Sequence, residues 1–239
     1  EPGAEDEKTR ALVAELLDGA VVAGSDRGCR SRAGQALSAL LRPALTVRRF
    51  DTWDVIDRSG LIVASHEPAR CGLRVSTRKF LGSLERTFAG RTSFLRPFTE
   101  SARLPAYPSA GADDPRVWFE APVRDAENRP IAALGFGEPA RAEFASLLRG
   151  SSGGDSDEIY LFDASGLMLT DSRHAGKLAA AGLLDPAAGA YTMLRAQVRD
   201  PGPDGNAGAL SRAERSAQPP TRLAAIAIAS QGDGKQAGW

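Results

Sequence analysis

The chain is poor in what most catalytic and metal sites are built from. Among its 239 residues are two histidines and two cysteines. His66 and His174 have no Cys or acidic residue at ligand spacing, so no zinc site is expected. Lys plus Arg equals Asp plus Glu at 30 each, which leaves no global field to draw the chain to nucleic acid or an anionic bilayer, and no nucleic-acid partner is expected. Long hydrophobic runs are also missing: the stretch 223–229 is among the longest, far below the roughly 20 residues that cross a bilayer. There is no Gly-x-Ser-x-Gly elbow. Asp171-Ser172-Arg173-His174 sets triad residue types side by side, but triads assemble in space from separate segments, so strand-end hydrogen bonding is the simpler reading. The Gly-rich segment 150–156 lacks the Lys-Ser/Thr end of a phosphate loop and reads as a flexible linker. No catalytic residue, metal or cofactor is expected.

Two cysteines cannot define a compartment by arithmetic. Cys29 and Cys71 stand 42 residues apart. Paired, they would add about 4 kcal/mol through chain entropy in an oxidising compartment; unpaired, they would be two partly buried thiols. Both readings are open at this point.

What the chain does have is an internal repeat. Val55-Ile56-Asp57-Arg58-Ser59-Gly60-Leu61-Ile62-Val63-Ala64 recurs loosely as Leu161-Phe162-Asp163-Ala164-Ser165-Gly166-Leu167-Met168-Leu169-Thr170. Apolar flanks supply two strands, and Asp-x-Ser-Gly suits a tight reversal because Asp and Ser bond back to the backbone and Gly accepts positive φ. The copies lie one domain length apart, which predicts two related modules in tandem.

Around these turns the periodicity predicts an α+β chain. Leu12, Leu16, Leu17, Val21, Leu37, Leu40, Leu41 and Leu45 predict a long helix or a helix pair within 1–50, with 24–28 the natural place for a break or kink and with Pro43 arguing against a straight rod. Residues 50–65 predict a hairpin, with Trp53, Val55, Leu61 and Val63 on its apolar face. Residues 72–90 carry a helical stripe of Phe80, Leu81, Leu84 and Phe88. A strand over 92–98 interrupted near Pro97, a loop over 101–115, a hairpin from 117–123 and 131–136, and a helix over 139–148 complete a first module at 51–149. After a linker at 150–157, the second module spans 158–239 with a helix at 221–230. It lacks a counterpart of the closing hairpin, so the expectation is a fragment that stops inside a domain and was cut from something longer.

Three pieces resemble the double Cache (PAS-like) sensor domain of bacterial receptors: 53–65 as the opening hairpin behind its long helix, 119–125 as the closing strand and turn, and 157–173 as the opening of a membrane-proximal module. The resemblance implies the extracytoplasmic, periplasmic or extracellular, part of a membrane-anchored signal-transduction receptor of the sensor-kinase or chemoreceptor type. Flanking membrane helices and a cytoplasmic output domain would lie outside this sequence. It further implies a small molecule of unknown class held in the distal module, between the sheet and its covering helix and loops, with the N-terminal helix passing on the change. The amino-acid-binding pattern of part of the family is not matched: the last strand reads Leu134-Gly135-Phe136-Gly137-Glu138, without the expected Asp, and no Arg-x-Trp-Tyr precedes the hairpin. Candidate ligand-binding residues are Arg91, Arg96, Phe98, Tyr107, Trp118 and Glu120, the arginines as carboxylate clamps and the aromatics as walls. The competing reading puts Trp118 in the core and the arginines in solvent. The alternative function is a homodimerisation or protein-interaction module with no small-molecule ligand, pairing through the N-terminal helix.

Overall fold

A computed structural model describes residues 2–19, 24–48, 50–76, 78–107, 114–149, 158–180, 184, 191–200, 214 and 217–230. Its contacts divide the chain into two compact units, Glu1–Ala140 and Arg141–Trp239.

Unit 1 opens with α1 (Pro2–Asp18), α2 (Arg27–Arg30) and α3 (Arg32–Arg48), so the helix pair, not the single long helix, is what the structure has. Gly24, at φ 80°, lies in the break. The α2–α3 corner is tight: a Cβ on Gly34 would lie 2.2 Å from the Gly28 carbonyl oxygen. Helix α3 runs through Pro43, whose ring is exposed.

Strands β1 (Thr52–Ile56), β2 (Ile62–Ser65), β3 (Ser93–Thr99), β4 (Pro115–Arg124) and β5 (Pro130–Pro139) form one antiparallel sheet in the order β2-β1-β5-β4-β3. The expected α+β class and antiparallel sheet are therefore present. In the β1–β2 turn Asp57 Oδ1 accepts hydrogen bonds from the Ser59 amide at 2.8 Å, the Ser59 hydroxyl at 2.7 Å and the Leu61 amide at 2.9 Å, while Gly60 sits at φ 82°. The register of β3 shifts between Leu95 and Phe98. Pro97 lies in that gap, and an edge strand tolerates its missing N–H.

Each sheet face has its own core. On one, Val13 and Leu16 of α1 and Leu37 and Leu41 of α3 pack on Trp53, Val55, Val63 and Ala64. On the other, α4 (Arg78–Phe88) lays Phe80, Leu84 and Phe88 over Ile56, Leu95 and Trp118. Leu81, expected on that stripe, is 39% exposed. The loop expected at 101–115 is in part a helical turn, α5 (Glu100–Arg103). Local composition misleads here because what holds α5 is tertiary: Glu100, Arg103 and Leu104 are all buried.

Cys29 and Cys71 form a disulfide with Cα atoms 6.2 Å apart, which resolves the alternatives left open above. It ties α2 to the residue after the 3-10 turn Pro68–Arg70. The Gly24 amide reinforces the tie by donating to the Gly72 carbonyl at 2.9 Å.

In unit 2 the second Asp-x-Ser-Gly turn repeats the first. Asp163 Oδ1 accepts from the Ser165 amide, the Ser165 hydroxyl and the Leu167 amide at 2.8, 2.6 and 3.2 Å, and Gly166 is at φ 79°. Its flanks do not form the two expected strands. Among the described residues they make only the isolated bridges Phe162↔Met168 and Leu167↔Gln197. In unit 1, β1 lies between β2 and β5; no described strand flanks residues 158–162, and a ladder with one partner is weak. Helices α6 (Ala140–Arg149, starting at the unit boundary), α7 (Ala175–Ala180) and α8 (Arg222–Ser230) are also described. Asp171 and Ser172 serve the backbone: Asp171 Oδ1 accepts from the Thr192 and Met193 amides and Ser172 Oγ from the His174 amide. The expected linker at 150–157 lies outside the described residues.

Replacing Cys29 and Cys71 together by serine should lower unfolding free energy by about 2–4 kcal/mol, the range for a loop of this size. Urea titration of the variant, beside wild type with and without reductant, measures it; reductant should shift only the wild type.

Candidate functional site

The sheet face beneath α4 is polar at its centre. Strand register sets Asp54 of β1 beside Gly135 of β5 and Glu120 of β4, and in the next row Thr52, Gly137 and Trp118. The two glycines make room for the indole. A Cβ on Gly135 would stand 2.1 Å from Trp118 Nε1, and one on Gly137 would stand 2.5 Å from Cζ3. Trp118 therefore lies flat on the β5 backbone and is fully buried.

Two arginines come down on this floor from the covering segments. The Arg103 guanidinium, from α5, stacks 4.0 Å above the Trp118 ring, and its Nη1 donates to Asp54 Oδ2 at 2.8 Å. Arg70, from the 3-10 turn, reaches Asp54 Oδ2 at 3.3 Å and Glu100 Oε1 at 2.6 Å. Glu100 Oε2 lies 3.6 Å from Arg103 Nη1. All four side chains are at most 3% exposed. Glu67 flanks Arg70 at 3.6 Å and also accepts the Tyr107 hydroxyl, while Arg116 Nε lies 4.0 Å from Glu100. Burial alone would push the Asp54 carboxyl up, but Arg70 and Arg103 hold it below the usual carboxylate range. Burial likewise opposes the charge on Arg70, and Asp54 and Glu100 overcome it, raising its pKa.

A second cluster lies on the same face. Glu120 accepts the Ser83 hydroxyl at 2.7 Å and stands 3.5 Å from Thr87 Oγ1. Burial raises its pKa more than these hydrogen bonds and the more distant Arg103 lower it.

Of the residues singled out from the sequence, the structure gathers Phe98, Tyr107, Trp118 and Glu120 on this side of the sheet. Phe98 and Trp118 are core, Phe98 packing edge-on against Phe80 at 4.7 Å between centroids. Arg91 and Arg96 are exposed and do not join them. The cations that do, Arg70 and Arg103, and their acids Asp54 and Glu100 were missed. One signal was available: Asp54 interrupts the apolar run Trp53-Asp54-Val55-Ile56, and an acid in the middle of such a strand needs a buried partner.

On the opposite face, Phe94, Phe119, Leu134 and Phe136 line an open groove of about 280 Å³, with Phe94 52% and Phe119 39% exposed. Among the described residues, no cluster of three or more His, Cys, Asp or Glu could hold a metal. No described helix is long and apolar enough to cross a membrane.

No protein-family model and no curated protein matches the sequence. Several solved structures are similar to it. The sensor domain of the V. cholerae histidine kinase DctB is 13% identical at a TM-score of 0.45, with 86% of this chain and 72% of that chain covered. The ligand-binding domain of the Pseudomonas fluorescens chemoreceptor CtaA, solved with L-valine, is 16% identical at 0.43, covering 72% of this chain and 74% of its own. An extracellular ligand binding receptor from Desulfohalobium retbaense is 15% identical at 0.45 over 72% of this chain, which spans 29% of that receptor's length. The architecture described above, N-terminal helices packed on an antiparallel sheet, is of the α+β class expected from the sequence.

Gly135→Ala should destabilise by about 1–3 kcal/mol through overpacking against the indole, and should also red-shift the emission of Trp118 as the ring is lifted; denaturation followed by fluorescence reads both. The raised pKa of Glu120 gives a pH dependence. Above its ordinary value of 4.5 the unfolded chain releases a proton that the folded chain keeps, so this group's contribution to stability falls as pH rises until the folded pKa is passed. Glu120→Gln should therefore gain stability over wild type at pH 8 and lose that advantage by pH 4, in urea titrations of the two proteins side by side.

Proposed function

We propose that this chain is a Cache-type extracytoplasmic sensing domain of a membrane-anchored bacterial receptor, non-catalytic, with two tandem modules of which the one within unit 1 recognises a small molecule. The observation that carries the reading is the buried polar cluster between the sheet and α4, the 3-10 turn and α5, where two guanidiniums converge over an aromatic floor. Recognition would fall to Arg70, Arg103, Trp118 and Tyr107, with Phe98 and Glu120 as walls; Arg91 and Arg96 lie outside it. The disulfide supports an oxidising, extracytoplasmic location. It also offers a route for the signal: Arg70 is followed directly by Cys71, which is bonded to α2 between the two N-terminal helices. A ligand that favours one position of Arg70 would bias those helices, and the coupling would equal its differential affinity for the two arrangements.

A second reading has its own support. Trp118 fills the floor and the four charges neutralise one another, as expected of a dimerisation or interaction module that takes no ligand. Thermal shift of the purified chain against organic acids, amines and nucleobases, with sedimentation velocity on the same sample, separates the two. A compound that stabilises the wild type and not Arg103→Leu supports sensing. No stabilisation by any compound, together with a concentration-dependent dimer, supports the second reading.

A further inference from the structure

Among the groups that meet in this cluster, Glu100 stands apart in where it comes from. Asp54 lies in the interior of β1, anchored by ladder bonds on both sides. Glu100 comes from α5, a single turn that begins where β3 ends, and its capping residue Thr99 makes no side-chain cap hydrogen bond. Local structure thus does little to place this carboxylate; the arginines place it, Arg70 Nη2 at 2.6 Å and Arg103 Nη1 at 3.6 Å. Arg103 is also under-used. Its Nη1 serves Asp54, whereas its Nε and Nη2 are buried without a hydrogen-bond partner among the described residues.

We propose that Glu100 is a tethered occupant of an anion site: Arg70 and Arg103 make a carboxylate-binding position, and the chain fills it with a carboxylate of its own. The inference deepens the sensor reading by naming what holds the cluster in its present state, and rests on that reading only for the cluster's role. An exogenous carboxylate would compete with Glu100 for the same donors. In the protein as it stands the site is self-neutralised: the two arginines balance Asp54 and Glu100, with Glu67 and Arg116 at the margin. Removing the tethered carboxylate leaves one positive charge in excess in a buried place, a condition that strongly favours uptake of an anion.

Chemical rescue tests this. Glu100→Ala keeps Cβ and deletes Cγ, Cδ and both oxygens, the heavy atoms of acetate. The full chain carrying Glu100→Ala should melt below wild type in sodium chloride. Sodium acetate at equal ionic strength should raise its Tm by at least several degrees, rising with acetate concentration as mass action requires. Formate, which underfills the gap, and propionate, which overfills it, should raise it less. Wild type, with the site occupied, and Glu100→Gln, which fills the space with a neutral amide, should show no gain over chloride. The same acetate effect in Glu100→Gln or wild type would place the anion elsewhere and overturn the proposal. So would an acetate shift in Glu100→Ala no larger than that of chloride, or a variant that refolds in neither salt. These outcomes are independent of the compound screen: a wild-type hit with no acetate rescue would retain sensing and remove the tethered occupant, and rescue without any hit would do the reverse.

Discussion

The burial of Arg70 and Arg103 between the sheet and its cover is the constraint around which unit 1 is arranged. Taking a guanidinium out of water costs several kcal/mol even after relaxation, and it is tolerated only where counter-charges and hydrogen bonds are already in place. Here they come from four separate stretches of chain: Asp54 from β1, Arg70 from the 3-10 turn, and Glu100 and Arg103 from α5 packed over Trp118 of β4. Such a cluster adds little net stability compared with an apolar core of the same volume. What it imposes is position, since a shift of any one member leaves another charge buried alone.

Two other features follow from seating that cluster. The aromatic floor requires glycine at 135 and 137, because side chains on β5 would occupy the space of the indole. The turn that delivers Arg70 is fastened at its end by the Cys29–Cys71 disulfide, so the polar face of the sheet is covalently joined, around the β2 edge, to the helices of the opposite face. One bond thereby connects the covers of two faces that each hold an apolar core, of which the α4 face also carries the buried charges. Beyond α1 and α3 their face of the sheet also carries an aromatic row, with Phe50 stacked on Phe136 at 5.0 Å and Phe94 against Phe119 at 5.2 Å.

The paired Asp-x-Ser-Gly turns separate local from non-local causes. Both close with the same three hydrogen bonds to one aspartate oxygen and the same glycine conformation. Their surroundings differ: one set of flanks is strand within a five-stranded sheet, the other makes isolated bridges. A turn sets the direction of a reversal, but ladder formation depends on what lies on either side.

The sequence by itself determined the elements whose causes are local: the two turns, the hydrophobic stripe of α4, the β4–β5 hairpin and the α+β class. Half of the candidate site was legible in the same way, because Phe98, Trp118 and Glu120 announce a strand face through alternation. The remainder had no local signature. Arg70 and Arg103 sit in segments whose composition reads as loop, and an arginine in a loop is solvated unless something distant removes the water. The partner of Asp54, the helical turn of α5, the pairing of the two cysteines and the exposure of Arg91 and Arg96 were decided only by the tertiary structure. The energies concerned, desolvation and Coulomb attraction between residues far apart in sequence, exist only once the chain is folded.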